Sequence, residues 1–381
     1  MPAIKSLSRR LLLKQAGLAG AGVSLPAWAQ PAKPSTGQRS VTIAQIVDFS
    51  QAQQDVSKDF LIGSRAAWQD INLRGGIRGR PVQHQALETD GTPSSVRAAF
   101  EAVKSNPSCV VMSGTVGDQI ASQIVMLSRQ DGLNMAHAAP WLQNSGLEVD
   151  DKTFPIFAAR QEQISYALKT LSVMGMNELG AIYGSIQDYT AYHVELERIA
   201  ASMQLKLQSF QGGNDLRALG QKLTPRTPAV LLFVGGTPEL AEFTQGLEKQ
   251  ARQRYIVALA DVNLQTMLQM GAAKSTPVIA TQPVPLVNAS LPIVRSYRET
   301  MTRLFDEPPT PLSLAGFIAA RYTYEMLNDI DGPLNRQNAL TAFQRRANLD
   351  IGGFRVSFNP QRRSNTYVTQ SMMTVDGRLI G

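Results

Sequence analysis

The residue types that do chemistry are sparse in this chain. Of 381 residues, one is cysteine, Cys109, and three are histidine, His84, His137 and His193. A single cysteine excludes a disulfide framework and any Cys-rich zinc or iron–sulfur site. Three scattered histidines leave little for a metal cage or a catalytic triad, so neither metal nor cofactor is expected. Cys109 begins the apolar run Cys109-Val110-Val111-Met112 with no histidine nearby in sequence to activate it, and reads as a core thiol rather than a nucleophile. Gly271-Ala272-Ala273-Lys274-Ser275-Thr276 has a P-loop flavour, but it lacks the second glycine and precedes a strand instead of following one. No GxSxG elbow, HExxH pair or GxGxxG between strand and helix occurs. Asp150-Asp151 and the pair Asp329 and Asp331 stand in turn-like sequence, as solvated loop charges do. No catalytic residue is assigned, and the chain is expected to bind rather than to react.

Binding chemistry has a clearer place. Ser113-Gly114-Thr115-Val116-Gly117 follows the run ending at Met112 and opens a helical segment. Free backbone N–H groups and two hydroxyls there suit a carboxylate, although an ordinary helix cap would use the same residues. After Gly235-Gly236, Thr237 can cap the helix whose first turn Pro238 enters.

These turns belong to a regular series. Val41 to Val47 is a strand, followed by a helix whose positions Phe60, Gly63, Ala67 and Ile71 recur at spacings of three and four. Pro81 to Leu87 is a second strand, and Val96, Ala99, Phe100 and Val103 mark the next helix. The run at Cys109 is apolar on both faces, as strands covered by helices usually are. After a break near 154–160 the alternation resumes with strands at Leu179 to Tyr183, Ala229 to Val234, Ile256 to Ala260 and Pro277 to Thr281. Two consecutive βα series predict an α/β chain of two lobes with parallel sheets. The composition, 43% hydrophobic and 18% charged, is that of an ordinary globular protein.

The formal charge of +7 is less informative than it looks. Lys5, Arg9, Arg10 and Lys14 all fall in residues 1–29, which hold no acid; without them 33 basic residues stand against 30 acidic ones. That excess does not argue for nucleic acid. Residues 1–29 combine a basic start, an apolar stretch from Ala16 to Leu25 and the small-residue site Ala27-Trp28-Ala29, the pattern of a cleavable export signal. The stretch is about ten residues, well short of the roughly 20 that span a bilayer. Ser8-Arg9-Arg10-Leu11-Leu12-Leu13-Lys14 resembles the twin-arginine export motif, with Leu12 where Phe is preferred, and implies a bacterial periplasm. An ordinary secretory signal implies the same compartment. Residues 30–40 read as a short linker.

Larger stretches resemble a known family. Ile71-Asn72-Leu73-Arg74-Gly75-Gly76-Ile77-Arg78-Gly79-Arg80-Pro81 is similar to a turn of the type 1 periplasmic solute-binding proteins, in particular the branched-chain amino-acid binding group that serves ABC importers. Ser313 to Arg321 resembles that group's late helix, and Thr281-Gln282-Pro283-Val284-Pro285 its crossover. Ile351 to Asn359, with Val375 to Arg378, resembles its closing strands.

The resemblance implies two Rossmann-like lobes joined by a three-segment hinge, lobe one from 41–157 and 284–349 and lobe two from 158–283 and 350–381. A small ligand, an amino acid or related carboxylate or amide, would lie at the carboxyl ends of the strands and be trapped by closure. The partners it implies are that ligand and the importer's permease subunits, with the chain a monomer; a ligand-sensing module reporting to a membrane receptor is the alternative. For the site, it adds Ala138, Ala139 and Trp141 to Ser113, Gly114 and Thr115 in lobe one. The hydroxyl that relatives carry near Ala138-Ala139 is absent here, which leaves Trp141 as a flat apolar wall or as packing. In lobe two it implies Tyr189 against the ligand, places Thr237 where relatives have a second aromatic, and puts Asp261 near the acid that holds an α-ammonium group.

Overall fold

The computed structural model describes residues 40–364, 367–373 and 379–380, apart from 212 and 214. The export segment 1–29, the linker up to residue 39 and the closing segment 375–378 lie outside the described residues.

The first βα series folds as the alternation predicts. It runs β1 (Val41–Asp48), α1 (Gln54–Leu73), β2 (Val82–Thr89), α2 (Pro93–Ser105), β3 (Cys109–Ser113), α3 (Asp118–Gln130), β4 (Ala136–Ala138) and β5 (Thr153–Phe154). The strands form a parallel sheet in the order β2-β1-β3-β4-β5. Every residue of β1 and β3 is buried, because helices cover both faces. Cys109 lies in this core, where burial pushes its thiol pKa up.

The second series runs α4 (Arg160–Val173), β6 (Glu178–Tyr183), α5 (Ile186–Ser202), β7 (Lys206–Gln211), α6 (Leu216–Lys222), β8 (Val230–Val234), α7 (Thr237–Leu247), β9 (Tyr255–Ala258), α8 (Leu264–Gln269) and β10 (Val278–Gln282). Its sheet is ordered β14-β13-β10-β9-β8-β6-β7. The five strands of the series are parallel, and β13 (Thr369–Met373) and β14 (Leu379–Ile380) add an antiparallel edge from the end of the chain. Separate apolar clusters fill its two faces, one around Phe233, Phe243 and Met267, the other around Ile164, Leu196 and Val234.

Between these two contributions the chain returns to the first lobe as α9 (Pro292–Leu304), α10 (Pro311–Asn328), α11 (Arg336–Gln344) and the hairpin β11 (Leu349–Ile351) with β12 (Phe354–Val356). Ile351, Phe354 and Val356 pack in the same cluster as Val41, Phe60 and Phe317, so the hairpin shares the first lobe's core and β13 is the strand that rejoins the second sheet. Helix α10 lies against α1 at contact distance: a Cβ on Gly63 would sit 1.7 Å from the Ser313 carbonyl oxygen, and one on Gly316 1.9 Å from that of Phe60. Only glycine permits that approach.

Candidate functional site

In an open α/β sheet, ligands bind beyond the carboxyl ends of the strands where the strand order reverses. That point lies between β1 and β3 in the first sheet and between β6 and β8 in the second. In the second lobe the turns leaving β6 and β8 touch through glycine: a Cβ on Gly235 would be 3.1 Å from the Gly184 Cα. Ser185 then caps α5, its Oγ accepting the Asp188 N–H at 3.1 Å.

Turns of the two lobes bond to one another. Thr237 Oγ1 donates to Asp55 Oδ2 on α1 at 2.6 Å, and Asn263 Nδ2 donates to Asp59 Oδ2 at 3.0 Å. Trp141 Nε1 donates to Asp261 Oδ1 at 3.2 Å. Arg160, the first residue of α4, fills the junction. Its backbone N–H donates to the Gln143 carbonyl at 3.0 Å and its guanidinium donates to Asp261. The same guanidinium stands 3.9 Å from Asp118 Oδ2 and 4.3 Å over the Tyr192 ring. Burial opposes its charge, but Asp261, Tyr192 and Asp118 outweigh that cost and hold it protonated.

The expected site residues fall into two groups. In lobe one they are built into the wall. The Ser113 hydroxyl shares a 2.7 Å bond with Thr323 on α10, and Thr115 Oγ1 pairs with His137 Nε2 at 2.9 Å. Gly114, at φ 66°, gives its N–H to the Ala138 carbonyl and receives the Gln45 side chain on its own. The Val116 N–H donates to Ile46. The hydroxyls and these two amide donors, which suited a carboxylate in sequence, are therefore used internally. Ala138 and Ala139 are fully buried, and the Ala139 N–H goes to Phe154. Trp141 packs edge-on to Phe60, with Phe157 beside it, donates its N–H to Asp261, and lines a pocket with Ala260, Asn263 and Gln282 of the second lobe.

In lobe two, Tyr189 is half-buried, stacked on His193 and edge-on to Tyr183. The cap expected of Thr237 is not formed. Gly236 holds that position without a side-chain bond, and the Thr237 hydroxyl bridges Asp55 and the Asn263 N–H instead. The Asp261 carboxylate has its cation within the chain, in Arg160.

Sequence reasoning missed Arg160, Asp118, Asp55 and Glu239. Their signal was faint: a lone basic residue in the 154–160 crossover, and acids in the first turns of helices, where they also serve the helix dipole. Electrostatically they form one set. Asp55, Asp118 and Asp188 each feel Asp261, and Glu239 feels Asp188 and Asp55. Burial, with this like charge adding to it, raises the pKa of Asp55, Asp118, Asp188 and Glu239 above the ordinary range. A groove lined by Asp55, Asp59, Pro238 and Asn263 leads outward between α1 and α8.

The sequence matches the family described as periplasmic binding protein over residues 40–375. No curated protein matches it. Among solved structures, the chain is similar to an extracellular ligand-binding receptor from Verminephrobacter eiseniae, with a TM-score of 0.80 and 18% identity over 90% of this chain and 100% of that one. It is also similar to a substrate-binding periplasmic protein from Ralstonia solanacearum, at a TM-score of 0.79 and 17% identity over 90% and 99%. A third is the branched-chain amino acid transporter substrate binding protein LivJ from Streptococcus pneumoniae, in complex with isoleucine, at 0.75 and 12% over 90% and 98%. At these identities the likeness speaks for the fold.

Proposed function

The chain belongs to the periplasmic binding protein family, and from that premise we propose that it captures a small metabolite between its lobes in the periplasm and delivers it to the permease subunits of an ABC importer. The observation that carries this reading is the set of bonds that join the two lobes beyond the carboxyl ends of their strands: Thr237 to Asp55, Asn263 to Asp59 and Trp141 to Asp261. Each is a polar contact that a hinge opening would break and closure would remake, so a guest that bridges the lobes shifts the balance toward the shut form. The chain acts as a monomer that releases its guest chemically unchanged, and residues 1–29 export it.

The test is a thermal-shift screen of amino acids, amides, aromatic acids and amines, followed by small-angle scattering on every hit. A binder raises the melting temperature because it favours the folded form, and closure should also lower the radius of gyration. If no compound moves either readout, or if mass spectrometry finds the guest altered, the reading fails.

A further inference from the structure

The pocket beside Trp141 has two walls, one from each lobe. Trp141, Val284 and Leu312 line it from the first lobe, Val262 and Leu264 from the second, and Gln282 and Pro283 where the chain crosses between them. Among the described residues, none that lines it is charged. Gln282 closes β10 and is only 6% exposed. Its Nε2 donates to Ser371 Oγ on β13 at 2.8 Å, and its Oε1 is buried without a hydrogen bond. The other buried polar side chains of the lining are committed: Asn263 caps α8 and donates to Asp59, and Thr310 caps α10 through the Ser313 N–H.

A buried acceptor of this kind costs free energy until a donor reaches it. An ionised group entering the pocket costs more, because it sheds its water and meets no countercharge. Asp261, which stands in sequence between the lining residues Ala260 and Val262, is already paired with Arg160 and bonded to Trp141. The hydroxyls of Ser113 and Thr115 and the N–H groups of Gly114 and Val116, which suit a carboxylate, are bonded within the first lobe. With the lobes in contact the cavity measures about 20 Å³, room for about one water. Its walls belong to different lobes, so parting them widens it, and closing them brings Trp141 and Gln282 onto whatever has entered.

Building on the capture reading above, we infer that the guest is an uncharged compound whose apolar body lies against Trp141 and whose O–H or N–H donor bonds Gln282 Oε1. Titration calorimetry on the full chain tests this with probes built on one ring: benzyl alcohol and benzamide, the alcohol's donor-free isomer anisole, and the ions benzoate and benzylammonium, with leucine beside them. Benzyl alcohol or benzamide is expected to bind with little response to salt, and the alcohol should bind about tenfold more tightly than anisole. In Gln282→Leu that margin should vanish, a comparison that a change in stability alone does not move, because both isomers meet the same variant. Tighter binding of leucine, benzoate or benzylammonium than of the neutral probes overturns the inference and leaves the capture reading standing. So does a margin over anisole that is absent in the parent or survives in Gln282→Leu. No heat from any probe, with the radius of gyration unmoved throughout, removes both.

Discussion

Asp261 illustrates why single residues in this cleft could not be assigned from the sequence. Its type and its place at the end of an apolar run are visible there, and an ammonium partner is a sound expectation for such a carboxylate. Its actual cation is Arg160, 101 positions earlier in the chain, and its second partner is Trp141 across the lobe boundary. Breaking a buried pair by removing one member leaves the other charge stranded. Asp261→Asn should therefore cost about 3–5 kcal/mol in urea unfolding, and Asp261→Asn with Arg160→Met should recover part of the loss. A cost no larger in the single variant than in the double would mean that the pair is not coupled. The buried histidines give a second measurement. Burial brings His84 and His137 from 6.5 to about 4, so an unfolded chain takes up protons in that interval that the folded one refuses, and stability falls as pH drops through it. Glu239 has a raised pKa and works in the other direction, gaining stability as it is protonated in the folded state. Thermal melts across the interval should show a shallower fall for His137→Gln and a steeper one for Glu239→Gln.

Elements were far more legible than contacts. Continuous apolar runs place β1, β3, β6 and β8, and period-3.6 patterns place α1 and α2, because both report what is buried whatever it is buried against. Strand β7 escaped that reading: it is an edge strand with most of its residues exposed and no sustained apolar run. The turn at 71–81 that carries so much of the family resemblance is structural. Asn72 pairs its side-chain amide with both the N–H and the carbonyl of Val82, at 2.7 and 2.8 Å, and so ties the end of α1 to the start of β2. Gly63 and Gly316 are likewise visible as letters, but their importance appears only when α1 and α10 are seen to touch. Gly316→Ala forces those backbones apart and should cost roughly 1–3 kcal/mol by denaturant titration, the usual penalty for overpacking. The same substitution at Gly213, where nothing lies within 4 Å, should cost far less.

At the scale of the molecule, the bonds between the lobes are few and polar, as a device that must reopen requires. Each ends on a carboxylate and is worth about 1.5–3 kcal/mol net when that group is charged. Thr237→Val should therefore weaken guest binding by about tenfold, and because the hydroxyl also accepts the buried Asn263 N–H within the second lobe it should cost about 1–3 kcal/mol in urea unfolding; binding left unchanged would mean that the bond to Asp55 plays no part in closure. The interleaving of the lobes has a consequence for how the molecule comes into being. The first core draws on residues from Val41 to Val356, and the second sheet is finished only when β13 pairs with β10. A ribosome reading from the start thus cannot complete the first lobe until Val356 has emerged, after the second lobe's five parallel strands have been made. The first core must stay open through all of that synthesis, and an interrupted product bares its apolar surface to whatever proteases and chaperones are waiting.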